Sequence, residues 1–198
     1  GHCCIFTNEK IDINKSLKCM TKIASSYANS GADGIAPSSM TPGIVKNVRN
    51  MLDKNSKEDI PIMSYSSKFA SNFYGPFREA ADSAPQFGDR KQYQLDVRSK
   101  ESAIASSISY AREGADLLMV KPGLTSIDLI SDIHTKTKKP VGAYHVSGEY
   151  AGIEILSQKK LINFDAAMSE VWDAFKRAGA QFIISYAARD ASRIYFNG

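Results

Sequence analysis

The chain has 198 residues, with 25 Lys and Arg against 21 Asp and Glu, a formal net charge of +4, 43% apolar residues and 23% charged ones. That is enough for one domain with a sizeable core, and the balance excludes intrinsic disorder, collagen and coiled coil as global descriptions. No run approaches the roughly 18 uncharged apolar residues of a membrane span, and no basic stripe interleaved with aromatics marks a nucleic-acid surface. Neither a membrane nor nucleic acid is an expected partner.

The cysteines Cys3, Cys4 and Cys19 form an odd set clustered at the start of the chain. This is not the pattern of a disulfide-stapled secreted domain, so a reducing compartment is expected, the cytoplasm first and an organelle such as a plastid second. The chain opens Gly-His-Cys-Cys-Ile, with neither an initiator Met nor a signal peptide, and so reads as a processed chain or a piece of a longer one.

In chain order, Leu17, Met20, Ile23, Ala24 and Tyr27 are spaced by three and four, which predicts a helix with Cys19 on its apolar face. Gly31-Ala32 suits a left-handed cap, and Ile35-Ala36-Pro37 reads as a short buried strand. Thr41-Pro42 predicts a capped helix start leading into Ile44, Val45, Val48, Met51 and Leu52. Ile62 to Tyr65 is the next strand. A helix through Ile104, Ala105, Ile108 and Ala111 then ends at Gly114-Ala115, before the strand Leu117-Leu118-Met119-Val120. Thr125 and Asp128 resemble a capping box before Leu129, Ile130 and Ile133. Val141 to Tyr144 is a strand. The last unit repeats the pattern, with Met168, Val171, Trp172 and Phe175, then Gly179-Ala180, then Phe182-Ile183-Ile184.

Five strands alternating with helices argue for an α/β fold with a parallel sheet. No Gly-rich phosphate loop follows any strand, so nucleotide binding loses support. A barrel and a flavodoxin-like sheet remain. Polar residues gather just after the strands: Ser38 and Ser39, Ser66 and Lys68, Lys121, Ser147 and Glu149, and Tyr186. Barrel enzymes place their chemistry there, but a complete barrel needs eight strands and about 250 residues. The chain therefore looks like part of one, read as a single domain over residues 1–198.

Lys121 ends an apolar run and precedes Pro122, and Lys68 ends the strand that begins at Ile62. An amine at the end of a buried strand is partly desolvated, which disfavours its charged form and exposes a nucleophile. The plain alternative is a lysine snorkelling to solvent. Two amines in equivalent positions of parallel strands point to imine chemistry on carbonyl substrates. Between them, a Gly- and Pro-bearing stretch at about residues 74–98 reads as a mobile lid, in which Arg78, Arg90 and Lys91 could hold a carboxylate or stand solvated.

Met63-Ser64-Tyr65-Ser66-Ser67-Lys68-Phe69-Ala70-Ser71, Phe73-Tyr74-Gly75-Pro76-Phe77-Arg78, Gly88-Asp89-Arg90-Lys91 with Tyr93-Gln94, Met119-Val120-Lys121-Pro122 and Tyr144-His145-Val146-Ser147-Gly148-Glu149-Tyr150 together resemble the porphobilinogen synthase (5-aminolevulinate dehydratase) family over essentially the whole chain. The resemblance implies a TIM (β/α)8 barrel, here incomplete and running from about the fourth strand to the eighth, in a homo-oligomer that is usually an octamer. It implies condensation of two 5-aminolevulinate molecules into porphobilinogen, with loss of two waters through lysine Schiff bases, in tetrapyrrole (haem) biosynthesis. Lys121 matches the lysine of the propionate-side substrate and Lys68 that of the acetate side. Ser147 and Tyr186 match the hydroxyls on the first carboxylate. Arg78, Arg90 and Gln94 match the lid groups on the other carboxylate, Phe77 the aromatic that closes over the pocket, and Ser38 and Tyr144 further lining positions.

His2-Cys3 matches the end of the family's His-Gly-His-Cys stretch, which implies zinc, with Cys3 as one ligand and the others upstream of this chain. A catalytic zinc needs three protein ligands. The glutamate that holds an allosteric magnesium in many members falls near Ser106, so that site is not expected. Other departures are Cys4 where the family has Gly, Ser39-Met40-Thr41-Pro42-Gly43 where it has two carboxylates and an Arg, and Ser126-Ile127-Asp128 in place of Tyr-Leu-Asp. These departures keep a second reading open, a non-catalytic truncated or decayed paralogue that assembles with a complete subunit. An aldolase-type lyase is a third, but it gives no reason for the second lysine or the Arg-bearing lid.

Overall fold

The computed structural model describes residues 4–82 and 90–196. The antiparallel strands β1 (Phe6–Thr7) and β2 (Lys10–Ile11) lead into α1 (Ile13–Asn29), whose first turn is capped by the Asp12 carboxylate accepting from the Lys15 N–H at 2.9 Å. Then follow α2 (Ile44–Lys54), β3 (Met63–Lys68), α3 (Gly75–Ala80), α4 (Lys100–Arg112), β4 (Leu117–Lys121), α5 (Ile130–Thr137), β5 (Val141–His145), α6 (Ser147–Gln158), α7 (Phe164–Arg177), β6 (Phe182–Ser185) and α8 (Ala191–Phe196).

Strands β3 to β6 lie side by side in sequence order, every pair parallel, with helices in the connections. This is the arrangement of an incomplete α/β barrel. Parallel strands need cover on their faces. One face of the sheet has it: Leu118, Val120, Val141 and Ala143 have 0% exposure and share one cluster with Ala103 of α4, Ile133 of α5 and Phe175 of α7. Among the described residues, no helix is long and apolar enough to cross a membrane.

The three Gly-Ala junctions hold as helix ends, since Gly31, Gly114 and Gly179 take φ values of 90°, 105° and 98°. Several local readings are corrected. Ile35-Ala36-Pro37 contributes only the single parallel bridge Ile35↔Ile62, and Pro37 has no N–H with which to extend the ladder. Thr41 does not cap α2. Gly43 at φ 82° occupies the cap position, while the Thr41 and Ser39 hydroxyls bond each other at 2.8 Å. Thr125 and Asp128 make no capping box, because a 3₁₀ turn over Leu124–Leu129 precedes α5. Cys19 is exposed rather than in the core, since α1 buries Ser16, Ala24 and Ala28 instead. Helix α6 has no counterpart in the sequence-based reading.

Candidate active site

The C-terminal ends of β3 and β4 bring the two lysines together. Lys68 and Lys121 are direct partners in the parallel ladder, which sets their backbones about 4.8 Å apart with side chains on one face. Lys68 is 5% exposed, and its Nζ donates to the Ser38 carbonyl at 2.7 Å. Ser38 thus touches the site through its backbone.

Three tyrosines surround the Lys121 Nζ, with ring centroids at 3.9 Å for Tyr144, 5.2 Å for Tyr65 and 5.4 Å for Tyr74. The Tyr65 ring also lies 5.5 Å from the Lys68 Nζ, so it faces both amines. Burial, and secondly the neighbouring Tyr144, push the Tyr65 hydroxyl up to about 12. Burial does the same to Tyr186, with Tyr144 adding to the shift, again to about 12. These phenols stay protonated at neutral pH and serve as hydrogen-bond donors. Tyr74 ties the two strand ends together, its hydroxyl reaching the carbonyls of Phe69 at 2.9 Å and Lys121 at 3.0 Å.

Ser147 opens α6 at the rim, and its Oγ accepts the Phe77 N–H at 3.1 Å and lies 3.4 Å from the Phe73 carbonyl. Helix α3 is thereby docked on α6. Gly148 allows the approach, since a Cβ there would stand 2.6 Å from the Phe73 carbonyl oxygen. Phe77 itself is half exposed. The Arg78 guanidinium stacks on the far side of the cage, 5.3 Å from the Tyr74 ring centroid. Arg90 is half-buried, and its carbonyl accepts the Gln94 N–H at 3.0 Å. Gln94 is 5% exposed, and among the described residues both of its buried amide atoms lack a hydrogen-bond partner. The base of this segment is fixed to β3, with Leu95 N–H donating to the Lys68 carbonyl at 3.0 Å.

Tyr65 and Tyr74 were given no role by the sequence, and Glu149, noted there among the polar residues after the strands, has a structural one. Glu149 is 5% exposed, and its carboxylate accepts from the N–H groups of Leu124 at 2.9 Å, Thr125 at 3.4 Å and Val146 at 2.9 Å. It fastens the loop that follows Lys121 to the start of α6. Burial raises its pKa, and these backbone donors oppose the rise. A polar residue three positions into a turn after a strand was the available signal, but the helix it caps was not foreseen.

Cys3 lies outside the described residues, as do Gly88 and Asp89. Among the described residues, no group of three His, Cys, Asp or Glu side chains could hold a metal ion. The described chain by itself does not fit a zinc site.

The chain matches the family described as delta-aminolevulinic acid dehydratase over residues 1–194. It is 44% identical to the delta-aminolevulinic acid dehydratases of Helicobacter pylori and Bacillus subtilis, over 98% of its own length and 60% of theirs. It also resembles the crystal structure of the delta-aminolevulinic acid dehydratase (porphobilinogen synthase) of Toxoplasma gondii ME49 in complex with the reaction product porphobilinogen. The TM-score there is 0.92 at 40% identity, covering 96% of this chain and 54% of that one. This chain therefore spans about three fifths of the length of the curated relatives it matches.

Proposed function

The chain belongs to the delta-aminolevulinic acid dehydratase family, and from that premise we propose that it carries the two-amine site of a porphobilinogen synthase, a lyase that joins two 5-aminolevulinate molecules into porphobilinogen for tetrapyrrole synthesis. The observation that carries the proposal is the direct pairing of Lys68 with Lys121 under the shared Tyr65 ring.

The charge balance supports nucleophilic amines. Two ammonium groups about 5–8 Å apart at an effective dielectric of about 20 repel by about 2–3 kcal/mol. Burial disfavours charge in the same direction. Cation–π attraction from the tyrosine rings favours charge by up to about 2 kcal/mol. Repulsion and burial thus oppose a doubly charged pair, while the tyrosine rings and the Ser38 carbonyl favour charge.

Each neutral amine adds to a substrate ketone and expels one water, giving an imine. Proton loss turns the acetate-side imine on Lys68 into an enamine, whose carbon attacks the imine carbon held on Lys121. The free amine of the propionate-side substrate then displaces Lys68, and elimination releases Lys121. Both lysines are regenerated, so the net loss is two waters. Ser147 and Tyr186 would donate to the propionate-side carboxylate, with Tyr144 lining the pocket beside Lys121. Arg78, Arg90 and Gln94 would hold the other, with Phe77 closing over them. Helix α3, docked through Ser147, would exclude water that hydrolyses imines. Zinc at Cys3, with its remaining ligands from outside this chain, and homo-oligomeric assembly as an octamer belong to the same proposal.

The test is borohydride reduction in the presence of 5-aminolevulinate, followed by peptide mass spectrometry. Adducts on Lys121 and Lys68 are expected; absence of an adduct at either lysine would leave the non-catalytic paralogue as the better reading.

A further inference from the structure

Strand β3 does not run in simple step with β4. Ser64 partners Leu118 and Ser67 partners Val120, so three steps along β3 match two along β4. In an unbroken ladder Ser67 would stand opposite Lys121, and Lys68, one residue out of phase, would point to the helix-covered face. The extra residue reverses that phase. Ser66 and Ser67 both turn toward α4: the Ser107 hydroxyl donates to Ser66 Oγ at 3.0 Å and lies 2.9 Å from Ser67 Oγ. Successive side chains on one face are what a bulge produces, and bulges beside active sites re-aim a side chain. Alternation then resumes, and Lys68 returns to the face of Lys121.

The bulge is fastened on both sides. The Ser66 hydroxyl donates to the Met119 carbonyl of β4 at 3.4 Å, the Ser67 hydroxyl to the Ala103 carbonyl of α4 at 3.0 Å, and the Ser106 hydroxyl to the Ser66 carbonyl at 2.8 Å. Ser66, Ser67 and Ser107 each have 0% exposure, so water cannot replace a partner that is removed.

We infer that this serine-fastened bulge is the device that aims the second amine, and that Ser107, at the junction of the hydroxyl chain, is a positioning residue for Lys68. Its use in catalysis rests on the two-amine chemistry proposed above, whereas the aim of Lys68 is a matter of strand register alone.

Ser107→Ala is compared with the parent chain in two labelling reactions read lysine by lysine by peptide mass spectrometry. One is borohydride trapping with 5-aminolevulinate. The other is reductive methylation with formaldehyde and cyanoborohydride, which needs no substrate site. With both of the Ser107 hydrogen bonds to Ser66 and Ser67 lost, labelling of Lys68 is expected to fall at least about fivefold in both, while Lys121 stays within about twofold. Equal changes at the two lysines, or none at Lys68, overturn the assignment. If the parent forms no aminolevulinate adduct but methylation shows the selective fall, the condensation chemistry fails and the bulge assignment stands.

Cysteine pairs decide the matter if Ser107→Ala does not fold. In a background with Cys3, Cys4 and Cys19 replaced by Ser, Lys68→Cys with Lys121→Cys should cross-link on oxidation, because facing partners about 4.8 Å apart fall within the range of about 4.4–6.8 Å that a disulfide bridges. Ser67→Cys with Lys121→Cys should not. Cross-linking of the second pair in preference to the first overturns the assignment.

Discussion

On the helix-covered face of the sheet, Leu118, Val120, Val141 and Ala143 are fully enclosed, while on the opposite face Tyr65, Leu117, Phe182 and Ile184 remain half-buried around the paired amines. The same four strands thus divide their labour by alternation. The outward residues of β4 and β5 are enclosed under the helices and carry stability. The inward ones hold phenols, amines and a partly uncovered apolar surface, where the proposed chemistry would take place. Even the polar residues obey the division. His145 shares the outer face with Val141 and Ala143, has 0% exposure and meets the Phe175 ring edge-on at 6.0 Å, whereas Tyr144, one residue earlier, covers Lys121.

The sharpest way to break this comparison is to substitute one residue on each face. On the proposed two-amine chemistry, Lys121→Ala should cut porphobilinogen formation by on the order of 10³-fold or more, as loss of a covalent nucleophile does, with little change in the urea midpoint. Phe175→Ala, on the helix-covered face, should do the reverse in kind and lower unfolding free energy by about 3–5 kcal/mol. A large stability loss from the lysine variant would mean that the amine face is structural after all.

Acid should act through the outer face. Burial lowers the His145 pKa from 6.5 to about 4. Between those values the unfolded chain binds a proton that the native one refuses. Stability is therefore fully present above about pH 6.5 and is lost as pH falls toward 4, at up to about 1.4 kcal/mol per pH unit. His145→Asn should flatten that slope in urea titrations at pH 7 and pH 5; an unchanged slope would locate acid sensitivity elsewhere. Glu149→Ala leaves the N–H groups of Leu124, Thr125 and Val146 without their acceptor, at a cost of about 1–3 kcal/mol by chemical unfolding. The smallest effect belongs to Cys19. It is exposed, so Cys19→Ser should shift stability by no more than about 0.5 kcal/mol, and the native thiol should titrate readily with a disulfide reagent.

Much of the framework was readable in one dimension. The spacing of Met168, Val171, Trp172 and Phe175 is the buried stripe of α7, and the uninterrupted run Leu117 to Val120 is a strand with its lysine at the end. Errors fell where a competing partner, near or far in the chain, outweighs the expected local pattern. Thr41 looked like a cap, yet its hydroxyl is taken by Ser39. Of the two N–H groups that a Thr125 and Asp128 box would serve, that of Thr125 goes to Glu149, 24 residues away. Cys19 was placed on an apolar face that the chain leaves in solvent.

The sequence alone set most of the helices and strands, the glycine-capped ends of α1, α4 and α7, and the two amines that end two buried strands, because periodicity and left-handed glycine caps act within a turn or two of the chain. It could not say on which face the second amine emerges. Counting alternate residues from Tyr65 puts Lys68 on the wrong side, and only the bulge held by Ser66, Ser67 and Ser107 reverses that count. Strand phase is set between neighbours about 40 residues apart in the chain, so its physical cause, a hydrogen-bond contest between ladder and helix, exists only once the tertiary structure has formed.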